Sequence, residues 1–144
     1  MSAAVDVLLV EDHAGDVILV QEALAPFGNQ LRLHVAGDGV QALQLLTDPA
    51  FPCPRFVLMD LHTPRMGALE VLAELRQPGP WAALPVVVYS SSAHAADARR
   101  AYEVGANAYL IKPDGLDRFV DMLQTTVRFW LMTFPGDGLS PRPE

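Results

Sequence analysis

The sequence predicts an α/β fold, a doubly wound five-stranded parallel sheet, and three observations predict it. Short apolar runs occur five times, each followed by a segment with helical spacing. The runs Val5–Val10 and Phe56–Met59 show no useful polar alternation, as suits strands covered on both faces. Glycine, proline or polar residues punctuate the changes from one segment to the next. Alternation of strand and helix in this way argues for a parallel sheet with helices on both faces.

The elements follow in order. Val5 to Val10 (V-D-V-L-L-V) is a buried strand. After Glu11, Asp12 and His13, residues Ala14 to Ala25 carry Val17, Val20, Ala23 and Leu24 at helical steps, and Pro26 and Gly28 stop that helix. Leu31, Leu33 and Val35 alternate with Arg32 and His34, so this strand is expected to be half exposed and near an edge. Asp38 and Gly39 form a turn, Val40 to Leu46 a short helix, and Asp48 to Pro54 a proline-rich loop. Phe56 to Met59 is the next strand and ends on Asp60, with a turn signal at Pro64 and Gly67. Leu69, Leu72, Ala73 and Leu75 mark a helix broken by Pro78, Gly79 and Pro80. Pro85 to Tyr89 is a strand closed by Ser90, Ser91 and Ser92, and Ala95 to Val104 a helix stopped by Gly105. Asn107 to Ile111 is the last strand, closed by Lys112 and Pro113. From Gly115 a long helix places Leu116, Phe119, Val120, Leu123, Val127, Trp130 and Leu131 three or four residues apart. One domain is expected over residues 1–132. Residues 133–144, rich in proline and glycine, are expected to be a flexible tail.

Composition narrows the function. A chain of 144 residues fits one domain. A net charge of −7 gives a nucleic-acid partner no electrostatic help. The single cysteine, Cys53, excludes an internal disulfide and reads as a plain loop thiol between two prolines. No apolar stretch is long enough to span a membrane and no basic, apolar leader opens the chain, so a cytoplasmic protein is expected. His13, His34 and His94 read as solvated loop or edge residues, Tyr89 as a core residue, and Arg99 and Arg100 as a solvated helix face.

The chemistry sits just past the strands. The first strand is followed by Glu11 and Asp12, the third by Asp60, the fourth by Ser90 and the fifth by Lys112. A parallel sheet brings these ends to one edge, where α/β proteins collect ligands. Asp60 alone would read as a turn former or helix cap; its company changes the reading. Three carboxylates at close range repel one another unless a cation intervenes, and an oxygen-only set suits Mg²⁺ better than zinc. No glycine-rich loop follows the first strand, no second Asp stands two places after Asp60, and Ser90 lacks a G-x-S-x-G elbow. What fits is an aspartate accepting a phosphoryl group, with a metal ion, Lys112 and Ser90 stabilising its oxygens.

The motifs V-L-L-V-E-D-H-A-G-D-V, F-V-L-M-D-L-H-T-P, L-P-V-V-V-Y-S-S-S and G-A-N-A-Y-L-I-K-P resemble the receiver domain of two-component response regulators, in particular the single-domain, chemotaxis-regulator-like kind. The resemblance covers about Val5 to Val127. It implies a flavodoxin-like (βα)5 fold with strand order 2-1-3-4-5. It implies that Asp60 accepts a phosphoryl group from a histidine kinase's phosphohistidine. Asp12, Asp60 and the backbone carbonyl of His62 would ligate Mg²⁺, with Glu11 helping through water. Lys112 would pair with Asp60 and then with the phosphoryl group, and its bond to Pro113 would be cis. Ser90 and Tyr109 would move together as a switch. The opening E-D-H-A-G-D-V and the long last helix resemble a narrower group, the phytochrome-associated response regulators, which implies a phytochrome-type sensor kinase as partner.

The chain departs from the family pattern at Gly67-Ala68, where Asp-Gly is common, which opens the question of that loop's turn. Ser91 stands where alanine is frequent and bears on the dephosphorylation rate. Phe129, Trp130, Met132 and Phe134 add apolar surface at the end of the last helix. They are expected to form a homodimer interface, the alternative being that they fold back on their own domain. With no output domain in the chain, relay through an unidentified downstream protein is expected, and no enzyme activity beyond its own phosphorylation and dephosphorylation. The alternatives are a small Mg²⁺-dependent phosphatase using Asp60 covalently and a phosphorylation-independent interaction module.

Overall fold

A computed structural model describes residues 4–133. The elements are β1 (Val5–Val10), α1 (Ala14–Leu24), β2 (Leu31–Ala36), α2 (Gly39–Thr47), β3 (Phe56–Asp60), α3 (Ala68–Leu75), β4 (Val86–Ser90), α4 (Ala95–Val104), β5 (Ala108–Ile111) and α5 (Leu116–Leu131). The five strands are parallel in the order β2-β1-β3-β4-β5, as expected.

Side chains alternate across the sheet and build two cores. Val7, Leu9, Phe56, Leu58, Val87 and Tyr89 pack under α1 and α5, against Val20, Phe119, Leu123 and Val127. Leu8, Val10, Val57, Met59, Val86 and Val88 pack on the other face, against Ala42, Leu46, Val71, Leu72 and Ala101 from α2, α3 and α4. Both faces of the three central strands are therefore buried, which is why those strands read as unbroken apolar runs. β2 is an edge strand, and Arg32 on it is exposed.

Element ends follow local chemistry. The His13 imidazole caps α1 by accepting the Asp16 N–H at 3.1 Å, and Asp38 caps α2 by accepting the Gln41 N–H at 2.8 Å. α1 passes into a 3-10 segment, Ala25–Gln30. α4 stops at Gly105, whose φ of 114° is a left-handed conformation that glycine adopts without strain.

The amino-terminal edge of the sheet holds paired charges. Asp6, buried in β1, faces Arg32 directly in the β1–β2 register. Arg32 donates from Nε and Nη2 to the two Asp6 oxygens at 2.9 and 3.1 Å, and His34 Nε2 lies 2.8 Å from Oδ1. Burial pushes the Asp6 carboxyl up, but the bonds to Arg32 and His34 outweigh it and leave the carboxyl below its ordinary value. His34 is thus not the solvated edge residue expected from the sequence: it meets Asp6 on one side and the Phe51 ring, 4.9 Å away, on the other. Arg76, at the end of α3, donates to the carbonyls of Gly105, Trp81 and Ala82 and to Asn107 Oδ1. That same Asn107 oxygen accepts the Val86 N–H at 2.9 Å, so Asn107 ties two strand starts together, one residue before β5 begins.

The end of α5 divides the expected apolar patch. Trp130 folds back and stacks on Phe56, ring centroids 6.1 Å apart, while Phe129 and Met132 are 54% and 80% exposed. Arg55, just before β3, donates to the carbonyls of Trp130 and Thr133 and so closes the helix terminus. Phe134 and nearly all of the expected tail, residues 134–144, lie outside the described residues. The Lys112–Pro113 bond, expected cis, is trans, the isomer that X–Pro bonds favour by about 0.5–1 kcal/mol.

Candidate functional site

The carboxyl ends of β1 and β3 bring Glu11, Asp12 and Asp60 together, with one oxygen from each lying within 4.8 Å of the others. Their surroundings differ. Glu11 is 1% exposed, Asp60 half-buried and Asp12 exposed. Burial pushes the Glu11 carboxyl up to about 8, with the nearby Asp60 adding to the rise. The Tyr89 hydroxyl donates to Glu11 Oε1 at 3.0 Å, and the Asp12 N–H to Oε2 at 3.1 Å. Tyr89 is in the core as expected, yet its hydroxyl also serves the site, and burial followed by the Glu11 charge pushes the phenol's pKa upward.

The loop after β3 holds Asp60 in place. The His62 N–H donates to Asp60 Oδ1 at 3.0 Å, and the Thr63 hydroxyl to the Met66 carbonyl at 2.6 Å. The departure at Gly67-Ala68 is answered by the backbone: Gly67 has an ordinary φ of −84°, and Arg65 takes the left-handed turn at 64°. The Arg65 guanidinium then reaches Asp38 at 2.8 Å. Gly39 packs so closely that an added Cβ would collide with the Met66 carbonyl, which ties the start of α2 to this loop.

Ser90 is the last residue of β4 and is buried; its Oγ accepts the Ser92 N–H at 3.0 Å. Tyr109 reaches the same loop, donating its hydroxyl to the Ser92 carbonyl at 3.0 Å. The Ser92 hydroxyl donates to Asp97 Oδ2 at 2.6 Å, fastening the loop to α4.

Lys112 departs from expectation. Its Nζ pairs with Asp16 Oδ2 at 2.9 Å rather than with Asp60, and lies 5.0 Å from the centre of the Phe119 ring. The cause is the packing of α1 beside α5, which sets the first turn of α1 next to the end of β5. Burial pushes the Asp16 carboxyl up, but Lys112, Glu11 and His13 together outweigh it and the net shift is downward. Asp16 went unassigned in the sequence reading. Its spacing four residues after Asp12 was the available signal, since it places Asp16 in the turn of helix that begins beside the acidic pair.

Oxygen donors alone, from three carboxyl groups within 4.8 Å of one another, fit a hard divalent cation. The half-buried Asp60 offers a nucleophilic oxygen beside that position, with a buried hydroxyl at the end of the neighbouring β4 and an ammonium past β5.

The model of the response regulator receiver domain matches residues 7–124. The chain belongs to the response regulator receiver family. Response regulator Rcp1 of Synechocystis is 36% identical over 131 residues, covering 88% of this chain and 89% of that protein. The phosphorylated cyanobacterial phytochrome response regulator RcpA superposes with a TM-score of 0.84 at 31% identity, covering 92% of this chain and 97% of that one. A Mn²⁺-bound form of Rcp1 superposes with a TM-score of 0.80 at 35% identity, covering 90% and 96%. This receiver is thus related to phytochrome-associated response regulators. Among the described residues, no helix is long and apolar enough to cross a membrane.

Proposed function

We propose that this receiver accepts a phosphoryl group on Asp60 from the phosphohistidine of a sensor histidine kinase, and that the kinase is of the phytochrome type. The observation that carries the reading is the convergence of Glu11, Asp12 and Asp60 at one sheet edge, with Ser90 ending the adjoining β4 and Lys112 just past β5 at the same edge. An Asp60 oxygen forms the bond to phosphorus while the phosphorus–nitrogen bond of the donor breaks, leaving an acyl phosphate and a neutral imidazole. The kinship to Rcp1 and RcpA supports the phytochrome partner.

Asp12, Asp60 and the His62 carbonyl would hold Mg²⁺, with Glu11 assisting through water. The bound ion would supply charge neutralisation for the phosphoryl oxygens. Ser90 offers a hydroxyl to those oxygens. The Ser90 hydroxyl can donate there while it still accepts the Ser92 N–H, which links the phosphoryl group to the loop that Tyr109 also holds. The chain catalyses no reaction other than its own phosphorylation and dephosphorylation. It acts by docking to a downstream protein in the cytoplasm, as a homodimer joined through α5. The exposed Phe129 and Met132 support that interface.

Acetyl phosphate with Mg²⁺ should add one phosphoryl group per chain by mass spectrometry, and Asp60→Asn should remove it. Labelling that persists in Asp60→Asn rejects Asp60 as the acceptor. Sedimentation showing a monomer at tens of micromolar (roughly, by affinity arithmetic) rejects the dimer.

A further inference from the structure

We propose that Asp16 is a positioning residue: it holds Lys112 away from Asp60 in the unphosphorylated chain and yields it when a phosphoryl group arrives. The proposal rests on the reading of Asp60 as acceptor.

Lys112 is the only lysine in the chain, and its ammonium lies 2.9 Å from Asp16 Oδ2. The pair is partly shielded, with the two side chains 30% and 21% exposed, and the buried Phe119 ring faces the ammonium from below. The ammonium donates but cannot accept, so every bond it makes is to an anion or a dipole. The backbone fixes where it starts: the Lys112 N–H donates to the Ser90 carbonyl at 2.7 Å, at the edge of the phosphoryl-accepting pocket. Asp16 is fixed as well, in the first turn of α1, with its N–H held by His13.

The strand ends carrying Asp60 and Lys112 open on the same edge of the sheet, and the unphosphorylated chain gives the ammonium to Asp16. A phosphoryl group on Asp60 exchanges a carboxylate of one charge for an acyl phosphate of up to about two, and presents three acceptor oxygens further out, which reverses the preference. Asp16 therefore competes against the phosphorylated state, and its bond to Lys112 sets part of the equilibrium between the two states.

Beryllofluoride with Mg²⁺ serves as the phosphoryl probe, titrated against the full chain. Asp16→Asn should bind it about three- to fivefold more tightly than wild type, the range expected for losing one partly exposed ion pair. Asp16→Glu should restore the wild-type affinity. In a Lys112→Ala background, Asp16→Asn should change nothing. Because there is one lysine, side-chain ¹⁵N-labelling gives one ammonium signal. That signal should move when beryllofluoride is added to wild type and should already differ in ligand-free Asp16→Asn. An unchanged or weaker affinity in Asp16→Asn, an equal gain in the Lys112→Ala background, or a wild-type signal that ignores beryllofluoride overturns the proposal. Wild type that fails to bind the probe at all overturns the acceptor reading as well, which separates the two failures.

Discussion

Asp6 and Glu11 lie at opposite ends of β1 and meet opposite fates. Asp6 is buried at the amino-terminal end, and Arg32 and His34 on the neighbouring strand surround it with donors. Its carboxyl ends below its ordinary value in spite of burial. Glu11 is buried just past the other end, beside Asp60, and its carboxyl is pushed up to about 8. The same residue chemistry at similar burial is stabilised in one place and frustrated in the other. A structural carboxylate is answered from within the fold. The carboxylates at the opposite edge are left in excess, which marks them as waiting for a cation from outside.

The largest expected effect tests the frustrated end. The folded Glu11 value of about 8 lies above the ordinary 4.5, so the folded state holds the extra proton between those two values. Metal-free stability should therefore be fullest below about pH 4.5 and fall as the pH rises towards 8, by roughly 1.4 kcal/mol per pH unit from this group. Glu11→Gln should flatten that fall in urea unfolding at several pH values. A wild-type curve that rises across this window would erase the contrast.

Mg²⁺ binding should sharpen the same point. If the cation displaces the Glu11 proton, apparent affinity should climb with pH until about 8 and then level off. Calorimetry in buffers of different ionisation enthalpy should detect the released proton. Heats that do not depend on the buffer would mean that Glu11 is already ionised.

The satisfied end should respond in the opposite direction. Asp6→Asn should cost about 1–3 kcal/mol at neutral pH, since Arg32 and His34 lose a charged acceptor. Because the folded carboxyl lies below its ordinary 3.8, its contribution is present above that value and is lost as the pH falls through the folded value. Arg32→Lys is the mildest test. It replaces the two-pronged bond with a single ammonium and should cost less than about 1 kcal/mol, measured as the shift in urea midpoint.

The legible parts of the molecule were those governed by short range. The apolar runs gave the strands, and the residues past them gave Glu11, Asp12, Asp60, Ser90 and Lys112, because a parallel sheet collects strand ends without any knowledge of helix packing. The pairing of Asp6 with Arg32 depends on the β1–β2 register, which aligns residues 26 apart, and Asp6 was hidden inside an otherwise apolar run. The choice of Asp16 by Lys112 depends on how α1 lies against α5, which periodicity does not encode. At the end of α5, the three- and four-residue steps already placed Trp130, which turns inward onto Phe56, on the core stripe and left Phe129, which faces out, off it; grouping both as one interface patch overrode that spacing.

The placement of the indoles has a practical consequence. The chain has two tryptophans, and they report on different cores: Trp81 packs against the layer formed with α2, α3 and α4, and Trp130 against the layer formed with α1 and α5. Replacing either with phenylalanine leaves a single indole, on one side of the sheet, which can be excited selectively over the three tyrosines. Stopped-flow emission from the two single-indole proteins would then time separately how each layer assembles, with no dye attached.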